Sequence, residues 1–272
     1  MTDHSSPPTT RPKIDTTVSH SPRIWNYWLG GKDYYPVDRE VGDRFREVFP
    51  DIVEIARSSR TFLARAVEHL AGAAGIRQFL DIGTGLPTVD NTHEVAQRIA
   101  PEARIVYVDN DPLVLAHARA LLVGTPQGVT EYIDADLRDP GRILEAAGRT
   151  TLDLDRPVAL MLLNILGHIP DLDEARSIVK RLVDALPPGS HLAVADGTNV
   201  VRGREFDEAI AIWNAGGSVP YTLRTPGQIT RFFDGLELLE PGVVSCPHWR
   251  PDPIDFGLIR EVDEFCGVAR KP

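Results

Sequence analysis

The stretch FLDIGTGLPTVDNTH, residues 79–93, decides the fold. An apolar run beginning at Gln78 reads as a short buried strand. It closes on Asp81, and Gly83 and Gly85 follow with one residue between them. Glycines at such a turn let backbone amides approach a ligand that a side chain would keep away. A dinucleotide turn adds a third glycine in a GxGxxG spacing. Here that glycine is missing and Pro87 follows instead, so a longer loop over Leu86–Asn91 delays the next helix, THEVAQRIA, for which Thr92 is the expected cap.

Strand and helix patterns alternate downstream. ARIVYVDND, TEYIDADLRD, PVALMLLNILGHI and GSHLAVADGT read as strands with their exit loops. PLVLAHARALL (Pro112 in its first turn), PGRILEAAG and DLDEARSIVKRLVDAL read as the helices between them. That alternation implies a parallel sheet covered on both faces. The C-terminal part reads as a helix, GREFDEAIAIWNAG, a second helix capped by Thr225, a strand-like LELLEPGVV, and a closing strand EFCGVARK. The expected fold is α/β: a Rossmann-like, seven-stranded, mostly parallel sheet with helices on both faces and an antiparallel last strand. The loop SCPHWRPDPIDFGLI, rich in proline, is expected to be irregular and exposed.

Before the sheet, residues 1–22 are Ser/Thr/Pro-rich and read as a disordered tail. Residues 23–72 are helical in pattern (Val41, Phe45, Val48, Phe49, Ile52, Ile55, Phe62, Leu63, Val67, Leu70), and Pro50 divides them into two helices. Trp25, Tyr27, Trp28, Tyr34 and Tyr35 crowd the start of this segment. They either dock a helix on the domain or form a lid. We expect the lid, hinged at Gly30 and Gly31, with Asn26, Tyr27 and Lys32 closing on a ligand. Residues 73–272 form the ligand-binding domain.

Composition narrows the function. The chain of 272 residues is 42% hydrophobic and 25% charged, ordinary for a globular protein. It contains no apolar run long enough for a membrane span and no signal-peptide pattern. Two cysteines, Cys246 and Cys266, lack metal-ligand spacing; a reducing cytoplasm is expected, with no disulfide and no metal site. A net charge of −10 disfavours a nucleic-acid surface, which needs clustered Lys and Arg.

Ligands of open parallel sheets bind beyond the carboxyl ends of the strands. The residues that close the successive strands are Asp81 with Gly83 and Gly85, then Asp109, suited to accept from both hydroxyls of a ribose. Asp136 follows, placed to accept from an adenine amino group, and then Asn164 and His168. Each is a weak signal alone; their order along the chain is a strong one.

With LDIGTGLPT, VYVDNDP, DADLRDP, LLNILGHIPD and CGVARK, the chain resembles class I S-adenosylmethionine-dependent methyltransferases. SPRIWNYWLGGKDYYPVDREVGD and GTGLPTVDNTHEVAQ narrow the resemblance to the actinobacterial S-adenosyl methyltransferase family once classed as a domain of unknown function. The resemblance covers nearly the whole chain after the tail. It implies S-adenosylmethionine as cofactor. Gly83 and Gly85 would lie along its methionine part, and Asp81 would orient the turn. Asp109 would hold the ribose, Asn110 or Asp111 would flank the adenine, Asp136 and the Leu137 backbone would read the adenine edge, and Asn164 would stand near the sulfonium. Pro87 departs from the class pattern and agrees with the narrower family.

Remaining candidates are weaker. His168 is the candidate general base, with a loop-stabilising hydrogen bond its ordinary alternative. His93 is expected to cap or follow the loop, with a catalytic role as its alternative, and Asp196 either faces the acceptor or caps a turn. His248 and Trp249 either line an acceptor pocket or pack. The acceptor is expected to be a small molecule with an O or N nucleophile. An NAD-dependent oxidoreductase and a non-catalytic S-adenosylmethionine sensor are the alternatives.

Overall fold

A computed structural model describes residues 14–121, 124–216, 219–252 and 259–272. Three helices come first: α1 (Ser21–Trp28), α2 (Pro36–Val48) and α3 (Ile52–Gly72), the last two separated at Pro50 as the sequence implies. There follow β1 (Gln78–Ile82), α4 (Thr92–Ile99), β2 (Arg104–Asp109), α5 (Pro112–Leu121), β3 (Val129–Asp134), α6 (Pro140–Ala147), β4 (Ala159–Leu163), α7 (Leu172–Asp184) and β5 (His191–Gly197). The chain closes with α8 (Arg204–Ala215), α9 (Pro226–Thr230), β6 (Glu237–Leu238), β7 (Val244–Ser245) and β8 (Glu264–Arg270).

Among the described residues the sheet has eight strands in the order β3-β2-β1-β4-β5-β8-β6, with β7 also paired to β8. Strands β1 to β5 are parallel, and β8 runs antiparallel beside β5, with Asp196 opposite Phe265. The mostly parallel sheet with an antiparallel final strand is therefore as expected. The eighth strand arises because the expected strand over LELLEPGVV is two short pieces, broken by a turn in which Gly242 takes φ 89°.

Alternation along the buried strands divides the core. Leu80, Ile82, Val106, Val108, Leu160 and Leu162 face the layer of α6, α7 and α9. Phe79, Ile105, Tyr107, Ala159 and Met161 face α3 and α4. Asp81 and Asp109 share the parity of this second set, so both carboxylates come out on the α3–α4 side at the carboxyl ends of their strands. A third cluster joins α1, α2 and the start of α3 to α8: Phe49 stacks on Phe206 at 4.5 Å, and Trp28 packs against Phe45 and Trp213.

Of the tail expected over 1–22, residues 1–13 lie outside the described residues. From Asp15 onward the chain is in contact: the Asp15 carbonyl accepts from the fully buried Arg23 guanidinium at 2.9 Å. Two local expectations need correction. Asn91, not Thr92, is the cap residue of α4, and its N–H donates to Glu94 Oε2 at 2.8 Å. Thr92 is the first helical residue, and its hydroxyl turns inward to Asp81. The Pro-rich loop is not uniformly exposed either. Cys246 and Trp249 are fully buried, with the indole edge-on to Phe62 of α3; residues 253–258 of that loop lie outside the described residues. Trp249 is thus core rather than acceptor wall. Trp249→Ala is expected to lower stability in urea titration by about 3–5 kcal/mol while leaving nucleoside binding by the folded protein unchanged.

Candidate active site

The carboxyl ends of β1, β2, β3 and β4 open into a crevice of about 280 Å³, roofed by α1. Its floor is the glycine turn. Gly83 takes φ 77° and Gly85 φ 64°, both in the left-handed region. A Cβ on Gly83 would strike Ile165 at 2.7 Å, whereas one on Gly85 would meet nothing within 4 Å. Gly85 therefore presents bare backbone beside open space, a cradle that any side chain would fill.

Asp109 holds this turn. Its Oδ2 accepts from the Gly85 N–H at 3.0 Å and its Oδ1 from the Asp111 N–H at 2.9 Å. Each oxygen keeps further lone pairs, enough for two hydroxyl donors. Burial pushes the Asp109 carboxyl up to about 6, against the opposing pull of those two amides. Asp81 is similar: burial raises it to about 6, opposed by the Thr92 hydroxyl, which donates to Oδ2 at 2.6 Å. Across the crevice, Asn110 Nδ2 donates to Asp136 Oδ2 at 3.2 Å, and Asp136 Oδ1 accepts from the Arg138 N–H at 2.8 Å. Leu137 is buried beside them.

Asn164, the residue after β4, takes φ 56°, a left-handed conformation that asparagine tolerates better than most residues other than glycine. Its amide donates to Ser59 Oγ at 2.8 Å and to Glu264 Oε1 at 2.7 Å. His168 also lines the crevice. Its Nδ1 lies 2.9 Å from the Pro220 carbonyl, which can only accept, so Nδ1 carries the hydrogen and Nε2 the lone pair. Burial lowers the His168 pKa, more than the Pro220 bond raises it, so the ring is neutral near pH 7.

Asp81, Gly83, Gly85, Asp109, Asn110, Asp136, Leu137, Asn164, His168 and Asn26 all line one crevice. Tyr27, Gly30 and Lys32, expected there too, do not. The Tyr27 hydroxyl is drawn to Asp43 on α2, Gly30 ends α1 in the left-handed region, and Lys32 is exposed. The expected hinge is a fastened turn: the Gly31 N–H donates to Asn26 O at 2.8 Å, and Asn26 Oδ1 accepts from the Asp33 N–H at 2.9 Å. Asp196 is wholly committed, accepting from Arg224 at 2.9 Å, from Tyr221 and from the Gly197 N–H. The buried His93 is engaged with Tyr107.

Sequence reading missed His20, Ser59, Arg60 and Glu264, and named Trp25 only among the aromatics of the expected lid. His20 Nδ1 lies 2.8 Å from Asp111 Oδ2 and so ties the roof to the end of β2. An Asp two residues past a strand-end Asp was the only available hint. Glu264 opens the last strand, far from the other motifs, and nothing local marked it.

The profile of a family described as S-adenosyl methyltransferase matches residues 7–272. The chain belongs to that family. Its cofactor is therefore S-adenosylmethionine, which sets aside the NAD-dependent alternative. A DUF574 family protein from Streptomyces avermitilis is 48% identical, with a TM-score of 0.91 over 96% of this chain and 100% of that one. A candidate methyltransferase from Thermobifida fusca is 40% identical, with a TM-score of 0.87 over 96% of this chain and 97% of that one. No curated protein matches.

The crevice suits that cofactor: bare backbone at Gly85, a buried acceptor at Asp109 and exposed polar edges at Asn110 and Asp136. An ionised carboxylate accepts from hydroxyl donors more strongly than a carboxylic acid does. With Asp109 and Asp81 raised to about 6, affinity for S-adenosylhomocysteine should be full above neutrality and fall as pH drops through 6. Calorimetric titration between pH 5 and 8 checks this; a flat profile would contradict it.

Proposed function

We propose that this methyltransferase moves a methyl group to an O or N atom of a small-molecule acceptor. The observation that carries the reading is the Asp109 carboxylate bonded to the Gly85 N–H at the mouth of the sheet. On this reading Asp109 takes the ribose hydroxyls, Asn110 flanks the adenine, and Asp136 with the Leu137 backbone reads its edge. Gly83 and Gly85 lie along the methionine part, Asp81 orients the turn, and Asn164 stands near the sulfonium. Asn26 contributes from the roof. Residues 23–72 cap a cofactor domain spanning 73–272, and 1–22 form a tail. A cytoplasmic, actinobacterial setting fits the relatives from Streptomyces and Thermobifida, and no described helix is long and apolar enough to cross a membrane.

S-adenosylmethionine supplies a methyl carbon already activated by its sulfonium, so the chain needs to supply position and, for a protonated acceptor, a base. Trp25, Leu29, Leu63, Ile165 and Val219 give the far wall an apolar lining that excludes water from the acceptor. His168 is the base: neutral, held by Pro220 through Nδ1, with Nε2 left to take a proton from a hydroxyl or ammonium. Among the described residues lining the crevice the basic ones are Arg60, Arg138, His20 and His168, too few for a phosphate-binding surface in a chain of net charge −10, which supports a small acceptor over a nucleic acid.

A non-catalytic sensor is a second reading, because the Pro220 carbonyl holds the His168 ring, a loop-stabilising bond that by itself supplies no base. Incubation with methyl-labelled S-adenosylmethionine and an actinobacterial metabolite extract separates the two. The expected outcome is label in the small-molecule fraction, reduced by about 10²-fold or more in His168→Asn with S-adenosylhomocysteine binding intact. Tight cofactor binding with no transfer would establish the sensor; label in nucleic acid or protein would overturn the small acceptor.

A further inference from the structure

The turn that carries His168 is clamped by one segment, Pro220–Arg224, distant from it in the chain. His168 closes a single 3-10 turn, Leu166–His168, and three successive residues there are bonded to that segment. The Thr222 N–H donates to the Gly167 carbonyl at 2.9 Å, His168 Nδ1 donates to the Pro220 carbonyl at 2.9 Å, and Arg224 Nη2 donates to the Ile169 carbonyl. The Tyr221 ring stands edge-on to the imidazole with 5.1 Å between centroids. It also lies over Gly167, where a Cβ would come within 2.3 Å of the ring. From the other side Arg138 donates to the His168 carbonyl at 2.7 Å.

Asp196, near the end of β5, anchors the segment. Its Oδ2 accepts from Arg224 Nη1 at 2.9 Å and its Oδ1 from the Tyr221 hydroxyl, and both Asp196 and Arg224 are buried. A buried ion pair stabilises a fold poorly, because desolvation offsets most of the attraction; its better use is to fix one arrangement among several. Here each side chain that donates to the carboxylate also touches the His168 turn, Arg224 through a second nitrogen and Tyr221 through its ring. The backbone repeats the link, since the Arg224 N–H donates to the Gly197 carbonyl at 3.0 Å.

We propose that Asp196 is a positioning residue for His168: through Tyr221 and Arg224 it holds the Pro220 carbonyl on Nδ1, and so fixes the tautomer that leaves the Nε2 lone pair free for the acceptor. The role rests on the reading of His168 as the base. None of Asp196, Tyr221 and Arg224 lines the crevice, so the carboxylate acts through the histidine and not on cofactor or acceptor directly.

Imidazole nitrogen NMR of the full chain with S-adenosylhomocysteine bound reads the His168 tautomer, the signal being assigned by its loss in His168→Asn. The wild-type ring is expected to carry its hydrogen on Nδ1 alone. In Asp196→Asn the second tautomer should appear with S-adenosylhomocysteine affinity unchanged, and transfer of labelled methyl to the metabolite extract should fall by about 10²-fold, the cost of a displacement of about 1 Å. A merely structural Asp196 would lower stability and leave the tautomer of the folded protein as it is, and that result would overturn the proposal. Tyr221→Phe keeps the ion pair and loses the hydroxyl; it should shift the tautomer in the same direction, and it decides the matter in the same way if Asp196→Asn does not fold. Wild-type His168 with its hydrogen on Nε2 would overturn the proposal without any variant. If Asp196→Asn shifts the tautomer while His168→Asn transfers label as well as the wild-type chain, the base reading alone falls and Asp196 still positions the ring.

Discussion

The carboxylate of Asp109 fastens together the parts of the site that come from distant stretches of chain. One oxygen holds the glycine turn after β1 through the Gly85 N–H, and the other holds the turn after β2 through the Asp111 N–H. Asp111 in turn meets His20 at 2.8 Å and Arg23 at 4.0 Å, which carry the roof helix α1. Burial raises Asp111, but the His20 contact, the Leu113 N–H and the nearby Arg23 together outweigh it and hold the carboxyl below its ordinary range. The glycine turn, the end of β2 and the roof therefore hang on two acids, Asp109 and Asp111, at one strand end.

Several acids are kept where solvation is poor. Asp81 and Asp109 are raised to about 6, and Glu264 to about 8, in each case chiefly by burial. Buried carboxyls cost stability unless something at the site repays them. For Asp109 and Asp81 the return is a polar crevice whose acceptors are fixed before a ligand arrives. Glu264 instead acts through Asn164, whose left-handed backbone and doubly donated amide show how tightly the end of β4 is held. The apolar clusters on the two faces of the sheet make this possible, since the central strands β1, β4 and β5 are buried along nearly their whole length.

Much of this was legible in the sequence. The strand–helix alternation and the acids and glycines closing each strand depend on local pattern, and local pattern is what sequence shows. Asp109, Asp136, Asn164 and His168 stand in one crevice because parallel topology gathers strand ends by construction. Contacts made across the chain were not legible. Tyr27 had an aromatic's promise for a lid, yet Asp43, on the next helix, captures its hydroxyl. Trp249 reads as a loop residue until the end of the chain folds it under α3 against Phe62. Thr92 looked like a cap because its role depends on Asp81 lying across the turn. Arg60 sits in an ordinary helical charge pattern, and only the fold reveals that it faces inward.

The central claim is that Asp109 is the anchor of the cofactor site. Calorimetric binding of S-adenosylhomocysteine to Asp109→Asn, compared with the wild-type chain at pH 7.5 where the carboxylate is ionised, tests it most directly. The expected result is affinity weakened by about thirtyfold or more, since on the proposed reading one charged acceptor serves two hydroxyls, in a variant that still unfolds cooperatively. Unchanged affinity in a folded Asp109→Asn protein would contradict it.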